Sequence, residues 1–181
     1  MKKLSLGLVL GVLLLALPVA AFAQTANWDG QVHKGDFSVF GGIGIGYGFS
    51  IVPGVEYALA DWKLGDVFPL ALGVAARGSI NFWGDYWSSY GVAPMVTAHV
   101  GFKGLDIPAF LQRFDLYAGA GVGFTYYSIG TLSSVYGYDG FVVSFATTEG
   151  TAFYINDKFA VYGEYNYWGF SRGVLGVLYK F

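Results

Sequence analysis

Glu56, Arg77, His99 and Glu164 are the residues of this sequence with chemistry to offer, provided that a fold brings them together. An arginine between carboxylates makes a charge clamp, and a histidine can hold or move a proton near neutral pH. Catalysis needs more than this, namely a nucleophile or an activated water beside a base. The chain has only two histidines, and His33 precedes the first strand read below. A lone inward histidine is ordinarily a satisfied structural group, so no catalytic residue is assigned and the protein is read as a non-enzyme.

Other motifs carry no chemistry either. The runs Gly42-Gly-Ile-Gly-Ile-Gly and Gly119-Ala-Gly-Val-Gly miss the dinucleotide fingerprint, and no helix follows them. Their glycines alternate with apolar residues, as in strand packing. With no cysteine there is no disulfide scaffold or thiolate metal site, and no zinc or calcium spacing occurs, so neither a metal nor a cofactor is expected.

What could position the four residues is a set of strands. The chain is 55% hydrophobic with 12% charged residues, against about 25% charged in an average soluble domain. Too few charges remain to coat a soluble surface. Past the N-terminus, however, glycine or polar residues interrupt every apolar run before it reaches membrane-helix length. A hydrophobic chain without spanning helices points to strands.

Period-two alternation supports this. Phe37, Val39, Ile43, Ile45 and Tyr47 share one face, opposite Ser38, Phe40, Gly42, Gly44 and Gly46. Phe68, Leu70, Leu72, Val74, Ile80 and Phe82 stand opposite Ala71, Gly73, Ala75, Arg77, Ser79 and Asn81. The same separation recurs around Val96 and Val122. A soluble ligand-binding barrel would turn its apolar face inward and its charges outward. Here the second face is mostly small residues, suited to a narrow interior, so the bulky face meets lipid.

The strands are read at 37–47, 50–60, 68–82, 90–102, 114–127, 141–154, 159–167 and 172–181. The fold class is therefore all-β, a transmembrane antiparallel up-and-down barrel of about eight strands. Inward parity sends Glu56, Arg77, His99 and Glu164 to the lumen, with Phe40, Met95, Tyr117, Tyr127 and Tyr162 to fill it. An eight-stranded interior is just wide enough for side chains, so the charges read as a plug, and a buried arginine requires Glu164 or Glu56 as partner. The rival reading is a gate over a narrow path for small solutes.

Trp62, Trp83, Trp87 and Trp168 fall at strand ends and form the expected interfacial girdle. Three residues fit less well. Pro53 and Pro94 lie inside strands, where a bulge or a late strand start would accommodate them. Glu149 takes outward parity, which predicts that the sixth strand contains a bulge or begins its counting later.

The ends of the chain give a route and an address. Lys2 and Lys3, the apolar Leu4 to Ala16 and the exit Ala21-Phe22-Ala23 predict a signal peptide over 1–23, cleaved near Ala23. A short periplasmic segment, 24–35, would precede a barrel domain over 36–181. Cleavage would remove two lysines and no acid, leaving 8 basic against 12 acidic residues, a net charge of −4 without a basic patch for nucleic acid. Leu175, Val177, Tyr179 and Phe181 give a last strand with one apolar edge and an aromatic end, read as a C-terminal insertion signal.

Together with Glu56-Tyr57, Glu164-Tyr165 and the closing Leu-Tyr-Lys-Phe, these features resemble the small eight-stranded outer-membrane barrels, the class of the OmpA membrane domain, OmpX and OmpW. The resemblance spans about residues 36–181 and implies the outer membrane as location. It also implies lipid as surroundings, and the barrel assembly machinery and periplasmic chaperones as partners in biogenesis. The His-x-Ser arrangement of lipid A deacylases is absent, because Val100 and Gly101 follow His99. The expected function is structural, in envelope integrity, with minor passage of small solutes. The alternative is a surface binding or adhesion protein acting through external loops on an unknown ligand.

Overall fold

A computed structural model describes residues 29–46, 48–64, 68–83, 87–128, 139–169 and 171–181. The expected signal peptide and most of the long 128–140 connection lie outside the described residues. Eight strands run in chain order: β1 (Phe37–Gly46), β2 (Phe49–Leu64), β3 (Phe68–Trp83), β4 (Trp87–Gly101), β5 (Phe114–Ser128), β6 (Gly140–Tyr154), β7 (Phe159–Asn166) and β8 (Ser171–Lys180). Each pairs antiparallel with its neighbours, and β8 returns to β1, so the sheet closes into a barrel. Closure leaves no sheet edge around the ring, which a strand-built membrane protein needs because lipid offers no hydrogen bonds.

The alternation read from the sequence is the one the barrel uses. Ile43, Ile45, Val96, Val122 and Leu175 are exposed on the outer wall, while Ser38, Phe40, Ala75, Ala93 and Thr97 are buried inside. No helix among the described residues is long and apolar enough to cross a membrane. The outer wall is the apolar surface, and the strands are the spanning elements.

Several local expectations are corrected. β2 runs on to Leu64, and the β2–β3 register shifts between Ala58 and Ala60. That bulge changes parity, so Asp61 pairs with inward Ala71 and Trp62 with Leu70. β4 starts at Trp87, earlier than read. Neither proline needs a bulge or a late start. Pro53 pairs with Gly41, and the β2–β3 ladder simply skips from Ile51–Ile80 to Gly54–Arg77. Pro94 likewise pairs with Ala76 while the β4–β5 ladder skips from Val92–Phe124 to Met95–Gly121. Gly78 faces Pro53, where a Cβ would lie 2.8 Å from the ring Cγ. β6 also has no bulge: its register against β5 and β7 is unbroken, and Glu149 keeps its outward parity opposite Ala118 and Tyr165.

Residues 29–36, most of them within the expected N-terminal segment 24–35, cross the barrel's mouth at the end that holds β1's start and β8's finish. Asp29 N donates to Lys103 O at 2.7 Å, Gly35 N to Ala58 O at 2.9 Å, and Lys180 Nζ to Gln31 O at 2.7 Å. Lys180 also pairs with Asp36 at 3.0 Å. Gln31 and Val32 are buried, and Val32 packs on Ala58 and Ala71. The strap thus buries apolar surface and satisfies its polar groups on β2, β8 and the β4–β5 connection.

Candidate functional site: a charged layer across the lumen

Arg77, fully buried on β3, is the centre of the interior. Its Nε donates to Glu164 Oε2 on β7 and its Nη2 to Glu56 Oε2 on β2, each at 3.2 Å. The clamp therefore reaches across the barrel as well as to the adjacent strand. Room for it comes from Gly54, Arg77's register partner on β2, where a Cβ would fall 2.9 Å from Arg77 Cδ.

Both acids hold further donors. Thr97 Oγ1 donates to Glu56 Oε1 at 2.6 Å. Tyr117 OH donates to Glu164 Oε2 and Asn166 Nδ2 to Glu164 Oε1, both at 3.0 Å. His99 extends the layer, with Nδ1 2.7 Å from Asp115 Oδ2 and Nε2 against Glu56 Oε1. The ring thus bridges the two acids with both of its nitrogens engaged. The ring also stacks on Tyr117, at 5.4 Å between centroids.

The structure thus brings together all four residues singled out from the sequence, Glu56, Arg77, His99 and Glu164. Asp115, Thr97 and Asn166 complete the network and were missed. Asp115 shares the inward parity of Tyr117, but stands one residue inside its strand, where alternation is too short to read.

Chemically, the layer is a barrier. Its hydrogen-bonding atoms are largely turned on one another, and both His99 nitrogens face carboxylates, leaving none to activate a nucleophile. Among the described residues no three His, Cys, Asp or Glu side chains converge as a metal-binding set. Phe40, Val52, Tyr154, Tyr162, Val174 and Leu178 pack the lumen on the β1/β8 side.

Of the four tryptophans expected at the interface, Trp62 and Trp83 are exposed and Trp87 is half-buried. Trp168 is not a girdle residue. It is buried inside, packed with Ala75, Ala93, Met95 and Ala146. It keeps the inward parity of Glu164 and Asn166, and Gly169 turns the chain behind it with a φ of 56°. Gly91 leaves space for the ring, since a Cβ there would lie 3.1 Å from Trp168 Cζ3. Leu175, Val177 and Tyr179 of β8, with Phe181 just after it, form an exposed outward row. The Phe181 ring meets Tyr179 at 4.9 Å and Phe37 at 5.7 Å.

The fold is that of the small eight-stranded outer-membrane barrels. Among solved structures, the chain is similar to the N-terminal β-barrel domain of Pseudomonas aeruginosa OprF. That match has 12% identity and a TM-score of 0.58, covering 83% of this chain and 100% of that one. It is also similar to OprG from Pseudomonas aeruginosa, with 15% identity and a TM-score of 0.46 over 84% of this chain and 99% of that one. Neisserial surface protein A matches with 17% identity and a TM-score of 0.44 over 81% and 95%. No protein-family profile matches the sequence, and no curated protein does.

Proposed function

We propose that this protein is an integral outer-membrane barrel with a closed polar lumen, serving envelope integrity and admitting at most minor passage of small solutes. In this reading residues 1–23 direct export and are removed near Ala23. The aromatic end of β8 is read by the barrel assembly machinery after delivery by periplasmic chaperones, and lipid surrounds the outer wall. The role is non-catalytic.

One observation carries the proposal: Arg77 is clamped between Glu56 and Glu164, which binds three strands across the lumen into one charged partition. The energetic logic favours closure. Separating a buried pair to open a path strands charges in a low dielectric, at about 3–5 kcal/mol. A network of several charge-assisted bonds around the same acids raises that cost further.

Planar-bilayer recording of the refolded protein tests it. Wild type should be silent or open only rarely, while Glu164→Gln, which weakens the clamp, should raise open probability. A steady, high conductance in wild type would overturn the closed-lumen reading.

A further inference from the structure

The outward row of β6 reads Phe145, Thr147, Glu149, Thr151 and Phe153, so three polar residues in succession interrupt the apolar wall between two aromatic rings. Glu149 makes no hydrogen bond or ion pair with another described residue, and Thr151 Oγ1 has no partner among them either. Protonated or ionised, a carboxyl that faces hydrocarbon keeps a hydrogen-bonding capacity that lipid tails cannot meet. Elsewhere the same wall presents Val96, Val122 and Leu175. An acid held in their place calls for something polar to cover it.

Each of the three has a small residue beside it. The register sets Ala120 of β5 next to Thr147, Ala118 next to Glu149, and Gly163 of β7 next to Thr151. Both alanines are exposed. Nor does the barrel itself require the glycine: a Cβ at Gly163 would meet only Leu175 Cδ2, at 3.5 Å, which is ordinary contact. The flanks of the polar patch are therefore open to close approach from outside, and small residues at such a surface let two backbones come together within a membrane.

We propose that this patch is an interface in the plane of the membrane and that its occupant is a second copy of this chain. Two copies inserted in the same direction are related by a twofold axis along the membrane normal, so the patch of one meets the patch of the other at the same depth. Such a contact has to be self-complementary, and this one is, because a carboxyl acceptor and two threonine hydroxyl donors stand in one row. Barrel strands tilt by about 35–45°, so the two β6 rows cross instead of running side by side. A crossing at Glu149 sets each carboxyl against the carboxyl and hydroxyls of the other copy, with the small flanks letting the walls close. A lipid tail offers no donor, and a different protein would have to match depth and chemistry separately. The interface is independent of whether the lumen conducts.

The chain has no cysteine, so Asp157→Cys, in the exposed β6–β7 turn, labels the full refolded barrel at one position. Donor-labelled and acceptor-labelled copies are reconstituted together in phosphatidylcholine vesicles, and energy transfer is followed as added lipid dilutes the protein. Transfer should stay above the level of random co-occupancy, and Glu149→Leu should lower it to that level. Ala120→Trp should do the same through bulk, leaving the carboxyl in place, whereas Val74→Trp, exposed on β3, should preserve it. Heat-modifiable migration establishes that each variant is folded before transfer is read. Random-level transfer in the parent protein overturns the proposal, whether the patch then meets a different protein or lipid alone. Transfer that survives undiminished in Glu149→Leu and Ala120→Trp overturns it as well, since the copies would then meet through another face.

Discussion

The guanidinium carbon of Arg77 lies 3.8 Å from the centroid of the Phe40 ring. The same charge that clamps Glu56 and Glu164 is therefore capped on one face by the aromatic packing of β1. Cation–π attraction strengthens when the pair is desolvated, to about 2 kcal/mol. Charge clamp and apolar fill are thus one structure, and a variant that disturbs either is felt by both.

Arg77→Ala should destabilise the barrel by about 3–5 kcal/mol, because it leaves Glu56 and Glu164 buried without their cation. Urea unfolding of the protein refolded in vesicles measures this. The triple variant Arg77→Ala, Glu56→Gln, Glu164→Gln should recover much of the loss, since it removes the uncompensated charges as well. A single variant with an unchanged unfolding midpoint would show that the clamp contributes nothing.

Gly73 should not accept a side chain. A Cβ there would lie 2.7 Å from Thr97 Oγ1 and 3.0 Å from Glu56 Oε1. Gly73→Ala pushes Glu56 off its bonds to Thr97 and Arg77, and overpacking of this kind costs about 1–3 kcal/mol. Gly173→Ala is the control, since its nearest neighbour, Ile45 Cγ1, is 3.7 Å away. The same urea titration should separate the two variants.

How much of this was legible in the sequence depended on length of pattern. Long strands such as β3 repeat the two-residue period often enough to send Arg77 inward without ambiguity, and with it the layer it anchors. Asp61 was not legible, because one extra residue at the bulge near Leu59 reverses its facing. Trp168 was misplaced because residue type outweighed parity. A tryptophan near a strand end suggests an interface, whereas the alternation with Glu164 and Asn166 already pointed inward. The strap was illegible for a third reason: its bonds run to the backbone of Ala58 and Lys103 and to the side chain of Lys180, contacts that no local pattern encodes.

Deleting Phe181 should lower the yield of folded, heat-modifiable barrel in cells. Its ring closes an aromatic group with Tyr179 and Phe37 across the β8–β1 seam, where the sheet is sealed last to first. Refolding the same deletion variant from urea into vesicles separates the two roles of the residue. A defect confined to cells marks recognition by the assembly machinery, while a defect in both marks the seam. Normal yield in cells would sink the insertion-signal reading.

Trp168→Ala should destabilise the barrel by about 3–5 kcal/mol, the cost of removing a large buried ring. Trp168→Phe should cost much less, because the indole Nε1 has no hydrogen-bond partner among the described residues and only packing is at stake. Conductance distinguishes this ring from the charged layer. Trp168 fills the lumen beside Gly91 and Gly123, beyond Arg77 as seen from the strap. Removing it widens one section while the Glu56–Arg77–Glu164 partition stays shut, so Trp168→Ala should remain silent in planar bilayers. Only its combination with Glu164→Gln should exceed the openings of Glu164→Gln alone. Openings from Trp168→Ala by itself would move the barrier from the charges to the tryptophan.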